Sequence, residues 1–177
     1  MELDNLNLDS IVKQLLRDNI VEIPTETVWG YAVLLNSKKA VDNLMQKKDR
    51  DFNSGKVFTL VPESVESIKK YAIVNPKAEA IINKYLPGEL TLILPKNPAF
   101  KNYYFDHFNT IGIRIPDYPL LKQLSRAVGP MLLTSANPRG GTPKSSTGHL
   151  PSTIIDFTTD TPKIIRQGNL VIDLSTI

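Results

Sequence analysis

The sequence predicts one α/β domain built around a mixed β-sheet with flanking helices. Three observations carry that expectation. The chain has 177 residues, about the size of one domain. Hydrophobic residues make up 41 % and charged residues 22 %, a balance that supports one sizeable core. Helix-patterned and strand-patterned segments alternate over the first two thirds and strands gather at the end, with no repeat, low-complexity tract or linker between them.

Leu8-Asp9-Ser10 followed by Ile11, Val12, Leu15 and Leu16 predicts a capped amphipathic helix running to about Asn19. Ile20 to Ile23 is a short β-rich run stopped by Pro24, and Trp29 to Leu35 is a second apolar run. Residues 37–47 predict a helix with Ala40, Val41, Leu44 and Met45 on one face. Val57 to Val61 reads as a strand, and Ser64 to Tyr71 and Pro76 to Tyr85 read as helices. Proline suits a helix start because its missing N–H has no partner there. Leu90 to Leu94 and Ile111 to Ile115 are strands that end at prolines, with an irregular aromatic stretch, 97–109, between them. Pro119 to Val128 is a helix and Met131 to Thr134 a strand. The Gly-, Pro- and Ser-rich segment 135–152 reads as a long loop of the kind that carries function or disorder. Ile154 to Phe157, Lys163 to Arg166 and Leu170 to Leu174 complete the expected sheet.

Composition excludes several chemistries. With no Cys there are no disulfides, thiolate nucleophiles or cysteine-held metals, and two histidines, His107 and His149, cannot build a histidine-rich metal centre. Both read as surface residues. Lys and Arg number 21 against 18 Asp and Glu, a net charge of +3, too small to mark a nucleic-acid-binding protein by itself. No apolar run reaches membrane-spanning length, and the polar, acidic start does not read as a signal peptide, so a cytoplasmic setting without membrane contact is expected.

Three stretches carry candidate chemistry. PTETVWG, residues 24–30, places two Thr, a Glu and an aromatic between two strands. These groups suit a small polar ligand, and they equally suit a turn closed by side-chain bonds to backbone. Lys47-Lys48-Asp49-Arg50 follows a helix, where cations are favoured by the dipole, while an inward guanidinium suits phosphate or carboxylate. Thr134-Ser135-Ala136-Asn137 ends a buried-looking strand, where ligands of open α/β sheets collect. Arg114 interrupts the apolar strand 111–115 and must meet an anion or solvent, and Arg166 sits likewise after Ile164-Ile165. Together with Lys48 and Arg50 they form the right kind of set for a nucleoside triphosphate. Neither a GxxxxGK[ST] nor a GxGxxG motif occurs, so a nucleotide would need another architecture.

PTETVWG at 24–30, KDR at 48–50, YLPGELTLIL at 85–94, GIRIP at 112–116, LTSANPRGGTP at 133–143, and STIID with IIRQG over 152–168 occur in that order. In register they resemble the YrdC-type domain of the threonylcarbamoyl-AMP synthases, over nearly the whole chain, in its short single-domain form covering 1–177. The resemblance implies a twisted mixed sheet with a concave basic cavity. It implies an enzyme, a nucleotidyltransferase, that joins L-threonine, bicarbonate or CO2, and ATP into L-threonylcarbamoyl-adenylate and pyrophosphate, with Mg2+ accompanying ATP. A partner complex would pass the threonylcarbamoyl group to tRNA. By position, Lys48 and Arg50 would face the phosphates as the catalytic cations, with Ser54, Thr110, Ser135, Asn137, Lys144 and Arg166 completing the ATP site. Thr27, Thr59, Arg114, Leu133 and Ser152 would hold threonine, Arg114 at its carboxylate, and no residue would serve as a resident metal ligand. The alternatives left open are a relative that binds RNA or nucleotide without this activity, and one that uses a different carbamoyl acceptor.

Overall fold

The structure is a computed structural model that describes residues 7–53 and 55–176. Three of the helices start where a side chain satisfies their free N–H groups. In α1 (Leu8–Leu16) the Asn7 side chain accepts from the Asp9 and Ser10 amides at 2.9 and 3.3 Å. In α2 (Lys38–Lys47) Ser37 accepts from Ala40 at 3.1 Å. In α4 (Pro76–Tyr85) Asn75 caps and Pro76 fills the first position, and α5 (Pro119–Val128) opens on Pro119 and stops at Gly129 with φ +80°. The short α3 spans Ile68–Tyr71.

The strands are β1 (Val21–Ile23), β2 (Gly30–Leu34), β3 (Thr59–Val61), β4 (Leu90–Pro95), β5 (Thr110–Ile113), β6 (Met131–Ser135), β7 (Thr153–Asp156) and β8 (Lys163–Arg166). They form one sheet in the order β1-β2-β6-β3-β5-β4-β7-β8, parallel at β3–β5 and β4–β7 and antiparallel elsewhere. Side chains alternate between the two faces, so register decides what each face carries. One face carries Val33, Leu132, Leu60, Ile113, Leu92 and Ile155, all buried beneath α2, α3 and α4. The other carries Ala32, Leu133, Met131 and Val61, which α1 and α5 cover with Ile11, Leu15, Leu121 and Leu124. That second cover stops at β3. From Thr59 at the start of β3 onward, the same face presents Gly112, Thr91, Ile154 and Arg166 without a helix above them.

Several element boundaries differ from those expected, each for a local reason. The first helix ends at Leu16 rather than near Asn19, because Asp18 adopts φ +60° and turns the chain toward β1. Residues 64–67 are a turn rather than helix: the Ser64 and Ser67 side chains bond each other's backbone. Val57 and Phe58 stay outside β3, since the Phe58 N–H donates to the Tyr104 hydroxyl at 2.8 Å instead of to a ladder. Residues 170–173 do not form the expected closing strand, and 174–176 make a 3-10 turn. Gly168 packs so tightly on Pro151 and Thr153 that a Cβ would sit 2.3 Å from the Pro151 carbonyl oxygen. The chain therefore turns back over β7, and Ile172 joins the core by side chain alone.

The aromatic stretch 97–109 is irregular, with a 3-10 turn at Phe105–His107. Tyr104 is fully buried, and burial pushes its phenol up to about 12, against the opposing effects of the Phe58 amide and Arg50. Between pH 10 and 12 the unfolded chain therefore loses a phenolic proton that the folded chain keeps, so stability falls as pH rises, by about 2–3 kcal/mol from this group. Tyr71 is raised as well and adds a loss of the same sign. Urea unfolding across pH 9–12 should show Tyr104→Phe less stable at pH 9 and flatter above pH 10 than the parent; an equal slope would refute the assignment.

Candidate active site

A cavity of about 190 Å³ lies on the uncovered part of the sheet. Of the residues expected to form a site, Arg50, Thr59, Arg114, Leu133, Ser135, Ser152 and Arg166 line it together. They come from positions 50 to 166 in the sequence, and the register explains their meeting. Thr59 lies opposite both Leu133 and Gly112, and Thr91 faces Ile154, itself opposite Arg166. Gly30, the start of β2, opposes Ser135. A Cβ there would sit 2.9 Å from Leu133 Cδ1 and 3.2 Å from the Thr134 carbonyl oxygen, so a larger residue would have to displace the Leu133 side chain and crowd the β6 backbone.

Arg114 sits just past β5, buried to 6 % exposure. Its Nη2 lies 2.9 Å from Glu26 Oε1 in an ion pair and donates to Thr27 Oγ1 at 3.0 Å. Its Nε is buried without a partner, as is Glu26 Oε2. Half the guanidinium is thus held by the PTETVWG loop, and donors remain for a ligand. The loop is also a side-chain-closed turn: Thr25 Oγ1 accepts from the Thr27 and Val28 amides and donates to the Val28 carbonyl. The turn reading of this motif is thus the one the hydrogen bonds show.

Arg50 and Arg166 differ from Arg114. Among the described residues neither has a carboxylate partner. Arg166 donates through Nε and Nη2 to the Ser152 carbonyl at 2.9 and 2.8 Å and through Nη2 to Ser152 Oγ at 3.1 Å; Ser152 in turn bonds Thr91 at 2.8 Å. Arg50 lies over the Phe58 ring. Burial lowers the pKa of both, with repulsion from Arg139 acting on Arg50 and from Arg114 on Arg166. Such cations, unpaired and partly desolvated, favour an incoming anion.

Lys48 is placed differently from a cavity-lining group. It is buried, and its Nζ donates to the Ser135 carbonyl at 2.9 Å and to that of Asn137. It braces the 135–137 backbone from behind, and burial lowers its pKa, with Arg50 and Lys47 adding repulsion. Asn137 donates to the Pro138 and Gly141 carbonyls, while its Oδ1 is buried without a partner. Thr27 reaches the cavity through Arg114. Lys144 lies over the Trp29 ring, 5.0 Å from its centroid. Thr110 shares the pleat face of Gly112 and Arg114 but is outside the lining, and Ser54 is outside the described residues.

The long segment after β6 is a strap over this site rather than a free loop. Its Ser146 amide and side chain donate to the Thr27 and Thr25 carbonyls, Thr147 Oγ1 donates to that of Glu26 at 2.8 Å, and the Trp29 amide donates to the Lys144 carbonyl at 2.9 Å. Pro143 and Pro151 from the strap complete the cavity wall. Thr91 in the cavity wall and the pairing of Glu26 with Arg114 are not anticipated by the sequence. Thr91 was detectable as the one hydroxyl in an apolar strand; Glu26 stood in the motif without a partner to reveal its role. Among the described residues no group of three or more His, Cys, Asp or Glu side chains could hold a metal ion, and no helix is long and apolar enough to cross a membrane.

The model of the Sua5/YciO/YrdC family, described as telomere recombination, matches residues 13–150. A Methanocaldococcus jannaschii protein provisionally named threonylcarbamoyl-AMP synthase is 35 % identical over 167 residues, covering 94 % of this chain and 73 % of that protein. The threonylcarbamoyl-AMP synthase of Yersinia enterocolitica is 30 % identical over 141 residues, covering 77 % and 73 %. Among solved structures, E. coli YciO superposes with a TM-score of 0.82 at 23 % identity, covering 94 % of this chain and 91 % of that one. P. abyssi Sua5 complexed with L-threonine gives 0.79 at 24 % identity, covering 92 % of this chain; this chain spans 54 % of that longer protein. The chain belongs to the Sua5/YciO/YrdC family.

Proposed function

We propose that this protein is a threonylcarbamoyl-AMP synthase, which makes L-threonylcarbamoyl-adenylate and pyrophosphate from L-threonine, bicarbonate or CO2, and ATP. One observation carries the reading. Three arginines from distant parts of the chain converge on one cavity, and only Arg114 has a carboxylate partner among the described residues. Such a site suits a ligand set with one carboxylate and several phosphates. The names of the relatives support the same chemistry.

In this reading the threonine carboxylate takes the donors of Arg114 left free by Glu26 and Thr27. Thr59, Leu133 and Ser152 surround the amino acid. Arg50 and Arg166 face the phosphates with Ser135, and Asn137 and Lys144 belong to the strap and floor beside them. The charge of Lys48 acts through the floor it braces. Thr110 and Ser54 would touch an outer part of the nucleotide. The threonine amine forms an N–C bond to CO2 and gives up a proton, leaving a carbamate. A carbamate oxygen then bonds to the α-phosphorus as the bond to the bridging oxygen breaks and pyrophosphate departs. No side chain enters a covalent intermediate. Arg50 and Arg166 oppose the charge that develops on the leaving group, which is positioning and electrostatic catalysis. Mg2+ would arrive with ATP as part of the substrate, held by phosphate oxygens and water. The product, a mixed carbamic–phosphoric anhydride, is a reactive group donor, and a tRNA-modifying transferase complex in the cytoplasm is its proposed consumer.

Pyrophosphate release from ATP and bicarbonate should require L-threonine. Release that ignores threonine would point to another carbamoyl acceptor, and RNA binding without release would refute the synthase reading. Arg50→Ala should lower kcat by about 100-fold. Arg114→Ala should raise the KM for threonine by about 100-fold, the scale of two charge-assisted hydrogen bonds. Glu26→Gln keeps an acceptor for the Asp117 amide, which it now receives at 3.1 Å, but removes the ion pair. It should raise the threonine KM about tenfold and leave the ATP KM alone; an unchanged threonine KM would free Arg114 from Glu26.

A further inference from the structure

The aromatic turn 102–108 lines no part of the cavity, yet it grips the segment that carries Arg50 at both ends. Phe52, two residues past Arg50, stacks on His107 with ring centroids 3.7 Å apart and planes at 21°. At the other end, Phe58 stacks on Tyr104 at 5.3 Å and 17°, and its amide donates to the Tyr104 hydroxyl. The Arg50 guanidinium lies over the Phe58 ring, with Cζ 4.8 Å from the centroid. The turn itself is fixed. Asn102 Oδ1 accepts from the Tyr104 and Phe105 amides at 3.0 and 3.3 Å, and its Nδ2 donates to Asn36 Oδ1 at 3.3 Å.

A cation meant for phosphate has two conflicting needs. It must be held in place among other cations, and its charge and in-plane N–H groups must stay available. A carboxylate would hold it but cancel its charge, as Glu26 partly does for Arg114. A ring face attracts the guanidinium through its quadrupole and leaves every in-plane donor free. Phe58 is 1 % exposed and Tyr104 2 % exposed, so neither ring can swing away without disturbing the core.

We propose that Phe58 and Tyr104 are positioning residues for phosphate binding: they form a buried aromatic seat that aims the Arg50 guanidinium into the cavity, with Phe52 on His107 anchoring the other end of the same segment. The proposal rests on reading Arg50 as a phosphate-binding cation. Its consequence is that nucleotide affinity depends on residues that touch no nucleotide, whereas threonine affinity, set by Arg114, does not.

The test uses the whole chain and two readouts. Calorimetry measures ATP and threonine affinity, and NMR follows the Arg50 Nε–Hε resonance, which a ring face shifts. Phe58→Leu should weaken ATP binding about tenfold, leave threonine binding unchanged, and remove the ring-current shift of Arg50. Phe58→Tyr should keep wild-type behaviour in both. Phe52→Leu alters a half-buried position outside the helices and strands and should weaken ATP binding about threefold. Wild-type ATP affinity and an unmoved Arg50 resonance in folded Phe58→Leu would overturn the proposal. Should Phe58→Leu fail to fold, Tyr104→Phe, which loses only the hydroxyl, decides: an unchanged Arg50 resonance overturns the seat, and a displaced one supports it. If the wild-type protein binds no ATP, the phosphate reading fails with it, and the proposal falls even where Arg50 is ring-shifted.

Discussion

A guanidinium placed next to the middle of an apolar sheet has to be answered, and the way Arg114 is answered organises the surrounding structure. Its Nη2 pairs with the Glu26 carboxylate and donates to Thr27, which ties the loop between β1 and β2 to the end of β5 across the sheet. Glu26 also accepts the Asp117 amide, so the entry to α5 is drawn to the same point. The strap after β6 then bonds the backbone of residues 25–27. Three segments far apart in sequence thus converge on one buried charge. An uncompensated guanidinium at this depth would be strongly unfavourable, which is why these contacts occur together.

The cavity exists because the sheet has unequal cover. One face is sealed by α2, α3 and α4, whereas α1 and α5 protect only the β1-β2-β6-β3 part of the other. The remaining strands place hydroxyls and arginines on the open face, where apolar residues would be exposed. The same alternation that sends Leu60, Leu92 and Ile155 into the core sends Thr59, Thr91 and Ile154 to the cavity. Packing and binding chemistry are therefore two faces of one pattern. The three arginines are held by different means: Arg114 by a carboxylate, Arg166 by the Ser152 carbonyl and hydroxyl, and Arg50 by an aromatic ring. Among the described residues, only the first of the three has a carboxylate partner.

Much of this was legible in the residues. Helix starts at Pro76 and Pro119 and the strand Lys163–Arg166 stand where local chemistry places them, because proline and a run of β-formers act over a few residues. The boundaries that moved did so through contacts a local pattern does not contain. Phe58 gave its amide to Tyr104, 46 residues away, and so left the ladder. Residues 170–173 have strand composition but pass over β7, where Gly168 is wedged against Pro151 and Thr153. Of the candidate site, Arg50, Arg114 and Arg166 line one cavity. Lys48, by contrast, is turned toward the carbonyls of Ser135 and Asn137, a placement that its position beside Arg50 in sequence does not reveal.

By itself the sequence determined the class of fold, the absence of thiol chemistry, the family resemblance and the identity of the cations, since all of these follow from composition, short-range pattern and motif order. The tertiary structure alone decided which cations keep their charge and which are braced. That outcome depends on strand register, which sets the face each side chain occupies, and on which partner lies opposite it. Glu26 facing Arg114 is separated from its partner by a sequence distance that only the folded sheet closes, and Ser152 under Arg166 and Phe58 beneath Arg50 meet through the path the folded chain takes between them.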